Sequence, residues 1–211
     1  EVSQLRAIEA AAHALGMPYE TMMENAGSAT AAWLMKRYSK AHSKQCLVLV
    51  GKGKNGGDAL IAAARLQEAG WQTTPVLPTA RAADDPLTAR LTKLGGKLII
   101  TDTSADLPSA LKTEIKSAAF ILDGLLGTGF RPPLSPELGQ FLETLRAAGP
   151  LPPVIALDCP SGVSCEDGSA DPRSLQASVT LCIEAVKAGL LKFPAANYTG
   201  RLKTLSLGLP E

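Results

Sequence analysis

Asp123 and Asp158 each close an apolar run and each open into a turn of small residues. The first run, Ala-Ala-Phe-Ile-Leu-Asp at 118–123, continues through Gly124, Leu125, Leu126, Gly127, Thr128, Gly129, Phe130, Arg131, Pro132 and Pro133. The second, Val-Ile-Ala-Leu-Asp at 154–158, continues as Cys159, Pro160, Ser161 and Gly162. A carboxylate at the end of a buried strand is costly unless something meets it. One such residue alone reads equally well as the cap of a loop amide. Two of them, each followed by a Gly-, Ser- or Thr-bearing turn, favour a shared cation or ligand site. A third turn, Gly-Lys-Gly-Lys-Asn-Gly-Gly-Asp at 51–58, lies between an apolar run and an alanine-rich one. Gly51, Gly53 and Gly56 satisfy G-x-G-x-x-G, and a strand feeding a helix through such a turn presents free amides and a positive helix end to phosphate. A phosphate-bearing ligand and a merely tight structural turn both meet that pattern; Asn55 and Asp58 favour the ligand, because the shape of the turn needs neither side chain. Asn55, Asp123 and Ser161 offer oxygen and neither thiolate nor imidazole, a set that suits a hard cation rather than zinc or copper. Lys187, between apolar residues and Gly189, reads either as a surface lysine at a helix start or as a cation projecting into the site.

Other chemistries find no support. His13 and His42 are far apart and lack a metal-ligand partner at helical spacing, so both read as helix-surface residues. There is no G-x-S-x-G, and Ser161 follows a proline without a histidine to act as its base. No Gly-Lys-Ser/Thr closes the glycine turn as in a P-loop. The strand expected at 73–77 ends in Pro78-Thr79, with no carboxylate where an ordinary dinucleotide fold holds a ribose.

The elements that must position these residues alternate along the chain. Helical spacing of Val2, Leu5, Ile8, Ala12 and Leu15, with Gly16 as a stop, predicts a helix over 1–15. A second follows over 18–38, where small residues at 26–32 admit close packing on the sheet or a dimer contact, and Glu24 with Asn25 offers a polar pair near the site. Strands are expected at 46–50, 73–77, 97–101, 118–123, 154–158, 177–183 and 202–207. Helices are expected over 59–66, 86–94 and 105–117, and from 135 to near 149. Strand and helix in turn imply an α/β, mostly parallel sheet with helices on both faces. Ligands then bind outside the carboxyl ends of the strands, where strand order reverses.

Composition narrows the classes further. With 211 residues and 45% hydrophobic content, residues 1–211 read as one globular domain with ample core. Lys+Arg at 21 against Asp+Glu at 20 gives no broad field for nucleic acid or an acidic membrane. No apolar run is long enough to span a bilayer. Cys46, Cys159, Cys165 and Cys182 show no C-x-x-C spacing and read as free buried thiols of a reducing, cytoplasmic setting. The sequence opens at Glu1 without a methionine, so an organellar address stays open.

Five motifs, in order, resemble one family. Met23-Glu24-Asn25-Ala26-Gly27, the 51–58 turn, Asp123 to Gly129, Ala156 to Gly162, and Lys187-Ala188-Gly189-Leu190-Leu191 are similar to those of the NAD(P)H-hydrate epimerases, the YjeF N-terminal domain. The resemblance implies a Rossmann-like three-layer α/β/α sandwich with two N-terminal helices, usually a homodimer. It implies interconversion of the R and S forms of NADHX and NADPHX, nicotinamide cofactors hydrated at C6 of the reduced ring. One potassium ion per subunit is implied, held by Asn55, Asp123 and Ser161, with no redox cofactor. Lys54, Asn55, Gly56, Gly57, Asp58, Gly127, Thr128, Gly129, Phe130, Arg131, Pro132, Pro133 and Asp158 correspond to substrate contacts. On this basis Asp158 is expected as general acid/base, Lys187 as its electrostatic aid, and the Gly56 and Gly57 amides as the phosphate cradle. The chain departs from the family at Lys54, where asparagine is usual, and at Ala59, where glycine is usual; both bear on substrate binding more than on the chemistry. A fused or separate ATP- or ADP-dependent dehydratase is the implied partner activity. The same fold also serves as a non-catalytic RNA- or protein-binding dimerisation scaffold, a use at odds with two intact aspartate motifs and a balanced charge.

Overall fold

Residues 45–50, Gln-Cys-Leu-Val-Leu-Val, are apolar almost without interruption because the strand they form is covered on both faces. The computed structural model describes residues 1–101 and 108–209. In chain order its elements are α1 (Val2–Ala14), α2 (Tyr19–Arg37), β1 (Gln45–Val50), α3 (Lys54–Glu68), β2 (Gln72–Leu77), α4 (Pro86–Lys93), β3 (Ile99–Ile100), α5 (Ser109–Ser117), β4 (Phe120–Gly124), α6 (Pro136–Ala147), β5 (Val154–Leu157), β6 (Val179–Ile183), a 3-10 turn (Ala188–Leu191), α7 (Ala196–Thr199) and β7 (Arg201–Leu205). The strands pair in parallel in the order β3-β2-β1-β4-β5-β6-β7. The expected α/β/α sandwich is the fold the chain adopts.

Side chains alternate between two apolar layers, as a strand's period of two requires. Cys46, Val48, Val50, Phe120 and Leu122 pack with α2 and α3 on one side. Leu47, Leu49, Val76 and Ile121 pack with Leu111 and Ile115 of α5 and Phe141, Leu142 and Leu145 of α6 on the other. A third, smaller cluster joins Val2 of α1 to Cys159, Val163, Cys165, Cys182, Leu190 and Ala195. All four cysteines are buried and free.

Local signals set the helix ends. Asp85 caps α4, accepting from the amides of Leu87 at 2.9 Å and Thr88 at 3.2 Å, with Pro86 at the first helical position. Ser135 does the same for α6, accepting from the Leu138 amide at 3.2 Å. Gly16 leaves α1 at a φ of 95°, open to glycine at no steric cost. Small residues bring α2 onto α3 rather than onto the sheet: a Cβ on Gly27 would stand 2.5 Å from Ile61 Cβ.

Several expectations need correction. The strand read at 97–101 shrinks to Ile99–Ile100, an edge strand paired only with β2. The helix read over 105–117 is seen as Ser109–Ser117; positions 105–107 lie outside the described residues. His42 sits in the loop before β1 rather than on a helix, while His13 stacks on Tyr19 with ring centroids 4.4 Å apart. Glu24 and Asn25 do not reach the site: Glu24 bridges Arg65 at 2.5 Å and Arg90 at 2.9 Å, and Asn25 donates to the Leu207 carbonyl at 2.7 Å. The short α7 carries no helical periodicity and was not expected.

Candidate active site

The chain leaves β1 toward β2 and β3 on one side, then returns to lay β4, β5, β6 and β7 on the other. The crevice between the carboxyl ends of β1 and β4 is therefore the place where strand order reverses. Asp123 lies in register with Leu49 of β1 and Ala156 of β5, one residue inside that rim. It is buried, and its carboxylate accepts from the Ser161 hydroxyl at 2.6 Å, the Ser161 amide at 2.9 Å and the Leu125 amide at 3.3 Å. Burial pushes its pKa upward, and these three donors oppose the shift.

The Leu126 peptide ties the three turns together. Its amide donates to Ser161 Oγ at 3.0 Å, and its carbonyl accepts from Asn55 Nδ2 at 2.7 Å. Asn55 Nδ2 also donates to the Leu157 carbonyl at 3.0 Å, whereas the buried Asn55 Oδ1 has no hydrogen-bond partner. The structure thus gathers Asn55, Asp123 and Ser161 about the backbone of Leu125 and Leu126 and leaves one oxygen of the set unused.

The glycine turn owes its tightness to two of its glycines. A Cβ on Gly51 would stand 1.8 Å from the Leu125 carbonyl oxygen, and one on Gly56 would stand 2.0 Å from the Gly51 carbonyl oxygen. Arg81, ion-paired with Asp85, donates to the carbonyls of Gly51 at 2.7 Å and Gly53 at 3.4 Å and so braces the turn from outside. The first bond of the α3 ladder runs from the Gly57 amide to the Gly53 carbonyl at 3.2 Å. The Gly57 amide is therefore engaged within the helix, and the α-carbon faces Met23 of α2. The amides outside the ladder belong to Lys54, Asn55 and Gly56.

A cavity of about 810 Å³ opens at this rim. Lys54, Asn55 and Asp58 line it from α3, Gly127, Thr128, Gly129 and Phe130 from the turn after β4, and Asp158 from the end of β5. Gly56 and Gly57 lie beneath the turn, and Asp123, Ser161 and Lys187 stand behind the wall. Arg131, Pro132 and Pro133 do not line it: the Arg131 guanidinium donates to the Phe130 carbonyl at 2.8 Å and pairs with Glu166. Lys54 reaches the wall with its ammonium 4.8 Å from the centre of the Tyr19 ring. Ala59 is fully buried, its methyl turned to Gly124 rather than to the cavity.

Asp158 adopts a φ of 65°, a left-handed conformation that Asp and Asn tolerate better than most residues. Its amide is held by the Leu181 carbonyl at 2.8 Å, and Oδ1 accepts from the Ile183 amide at 3.2 Å and from Lys187 Nζ. Lys187 also donates to the Ile183 carbonyl at 2.9 Å and is only 3% exposed, so it is a buried partner of Asp158 and not a surface lysine.

Sequence reading missed the roof. Val2, Leu5, Arg6 and Glu9 of α1 line the cavity at the i, i+3, i+4, i+7 spacing of one helix face, joined by Tyr19 from α2. Burial raises the Glu9 carboxyl, with Lys54 opposing and the Asp158 charge adding to the rise. Burial holds Asp58 well above the ordinary carboxylate range, reinforced by Asp158 and Glu9 and opposed by Lys54. A carboxyl raised in this way binds more protons folded than unfolded, so its contribution to stability is present below the unfolded value and lost as pH climbs through the folded one. Asp58→Asn should accordingly raise the melting temperature at pH 8, and the gain should vanish below about pH 4, as read by thermal denaturation across that range.

Over residues 19–189 the chain matches the family described as YjeF-related protein N-terminus. The chain belongs to that family. All three turns and the Asp158–Lys187 pair fall inside the matched span, whereas α1 precedes it. The NAD(P)H-hydrate epimerase of Clavibacter michiganensis subsp. michiganensis is 41% identical over 172 residues, covering 77% of this chain and 72% of that protein. The bifunctional NAD(P)H-hydrate repair enzyme Nnr of Pyrobaculum aerophilum is 33% identical over 204 residues, 93% of this chain but 39% of that longer one. In fold, the crystal structure of yeast ynu0, YNL200c, superposes with a TM-score of 0.78 over 97% of this chain and 86% of that one, at 20% sequence identity. No helix among the described residues is long and apolar enough to cross a membrane.

Proposed function

We propose that this protein interconverts the R and S forms of NADHX and NADPHX in the repair of hydrated nicotinamide cofactors. The observation that carries this reading is one cavity holding both a charge-paired carboxylate, Asp158, and the free amide end of α3. The names of the relatives support the substrate. The Lys54 and Asn55 amides meet phosphate at the helix end, and the Lys54 side chain adds a positive charge beside them. Asp158 moves the proton at the C6 hydroxyl, fixed in place by the Ile183 amide and by Lys187, which balances its charge as the proton comes and goes. Neither loss and return of water nor opening and reclosure of the ring requires a redox group.

The oxygens at the rim fit a potassium ion. Asn55 Oδ1 is buried without a partner, and the buried Asp123 carboxylate has no ion-pair partner among the described residues. Asn55, Asp123 and Ser161 would hold the ion, which supplies a fixed positive charge against Asp123 and links the three turns. Exchange of potassium for tetramethylammonium is expected to lower the melting temperature of the wild-type protein and to leave that of Asn55→Leu unmoved. The reading also brings a homodimer, checked by light scattering, and a fused or separate dehydratase, in keeping with the longer bifunctional relative.

The deciding assay supplies purified R-NADHX to the protein and follows the S form by chromatography. Conversion well above the spontaneous rate is expected. A folded protein that leaves the isomer ratio at the spontaneous rate overturns the assignment.

A further inference from the structure

Inverting the hydroxyl-bearing carbon by loss and return of water requires oxygen to leave one face of the ring and arrive on the other. A single carboxyl at the end of β5 reaches one of those faces. Asp158 is such a group, with a proton to move at the C6 hydroxyl. The opposite requirement has no assigned residue.

Glu9 fills that role by position. It hangs from α1, the helix that roofs the cavity, and lines the same space as Asp158 from a different wall. Val2 anchors α1 against Cys159, the residue after Asp158, while Ala12 anchors its other end in the α2–α3 layer. Between those anchors Glu9 is half-buried, yet only burial and through-space charge act on its carboxyl, with no hydrogen bond among the described residues. The charges it feels are those of the site itself: Lys54, Asp158, Lys187 and Arg6. A partly buried carboxyl without a partner is costly, and a surface helix does not need one there.

We propose that Glu9 is the second proton-transfer group of this site, serving the face of the hydrated ring turned away from Asp158. The proposal rests on the epimerase reading. Glu9 as the acid gives its proton to the C6 hydroxyl; the C6–O bond breaks and water departs with the electron pair, while the ring-nitrogen lone pair forms a C6=N bond. A second water attacks C6 from the opposite face, its oxygen forming the new bond as Asp158 accepts the released proton and the C6=N pair returns to nitrogen. The ring is inverted, one proton has passed from Glu9 to Asp158, and exchange with solvent through the open cavity resets both. The reverse reaction exchanges their roles. Burial raises one carboxyl while Lys187 pairs with the other, the division of environments that separates an acid from a base.

The test uses the full chain and resolved R- and S-NADHX in water enriched in oxygen-18. The wild-type protein should invert each isomer and place the heavy isotope at C6. Glu9→Gln should fold normally by circular dichroism and lose about 100-fold or more in epimerisation. It should still wash the isotope into one isomer without inverting it, because Asp158 alone can release and return water on its own face. Asp158→Asn should wash isotope into the other isomer only. Wild-type epimerisation by Glu9→Gln, loss of wash-in from both isomers in that variant, or a wild-type reaction without isotope incorporation each overturns the proposal. A wild-type protein inert toward both isomers instead removes the epimerase assignment on which it stands.

Discussion

Asp158→Asn is expected to lower the turnover of NADHX epimerisation by about a thousandfold, within the range for loss of a positioned acid or base. The substitution is a clean one for geometric reasons. Asparagine accepts the 65° φ at this position, and its amide oxygen can still take the hydrogen bonds from the Ile183 amide and from Lys187. What it removes is the negative charge and the ability to accept a proton. Lys187 then keeps a buried ammonium without a counter-charge, which should cost about 3 kcal/mol of stability. Steady-state kinetics on protein shown to be folded separates the two effects. Unchanged turnover in the folded variant rejects the acid/base role, whatever happens to its melting temperature.

Gly51→Ala is expected to have the largest effect on stability, about 4 kcal/mol or more, a large fraction of what a domain of this size holds. The new methyl would stand 1.8 Å from the Leu125 carbonyl oxygen and 2.7 Å from its carbon, both backbone atoms. Retreat is blocked because the Gly51 amide donates to the Gly124 carbonyl at 3.3 Å. The turn after β4 must therefore move, and with it the Leu126 peptide on which Asn55 and Ser161 converge. Gly53→Ala is the matched control: apart from its chain neighbours no atom lies within 4 Å of the added carbon, so only the poorer N-cap propensity of alanine should tell, about 1 kcal/mol. Urea denaturation of the pair measures the contrast, and equal midpoints would count against the steric account.

The same pair marks how far the sequence could be read. G-x-G-x-x-G placed the turn between strand and helix, but it ranked its three glycines alike, and only the returning β4 segment makes Gly51 indispensable while sparing Gly53. Asp123 and Asp158 were legible because each closes an apolar run, and Asn55 and Ser161 because they stand in the small-residue turns that follow such runs, local patterns that need no tertiary knowledge. For Lys187 the local pattern left a surface lysine and a cation in the site equally open, since its burial depends on a partner 29 positions away brought near by strand order. The roof was misread for a different reason. Apolar spacing picked out Val2, Leu5 and Ala12, which do face inward, but also Ile8 and Leu15, which are 52% and 70% exposed, and it passed over Arg6 and Glu9, which line the cavity. Periodicity finds the stripe that faces a dry core; a helix laid over a wet cavity also turns polar residues inward, and the rule then passes over them. Arg81 escaped notice likewise, because bracing two carbonyls 28 and 30 positions earlier leaves no mark in its own neighbourhood.

The sheet's two-sidedness has a practical consequence. Leu47, Leu49, Val76 and Ile121 meet Leu111 and Ile115 beneath the strands, and none of these six borders the cavity. Residues adjacent in the chain, such as Leu47 and Val48, thus belong to separate compartments with separate tolerances. Heat resistance can be bred into the lower compartment by reshaping the side chains around Leu111 and Ile115 while the machinery at the rim keeps its pace, provided Leu125, Leu126, Phe130 and Leu138, which the same layer lends to the cavity wall, are left alone.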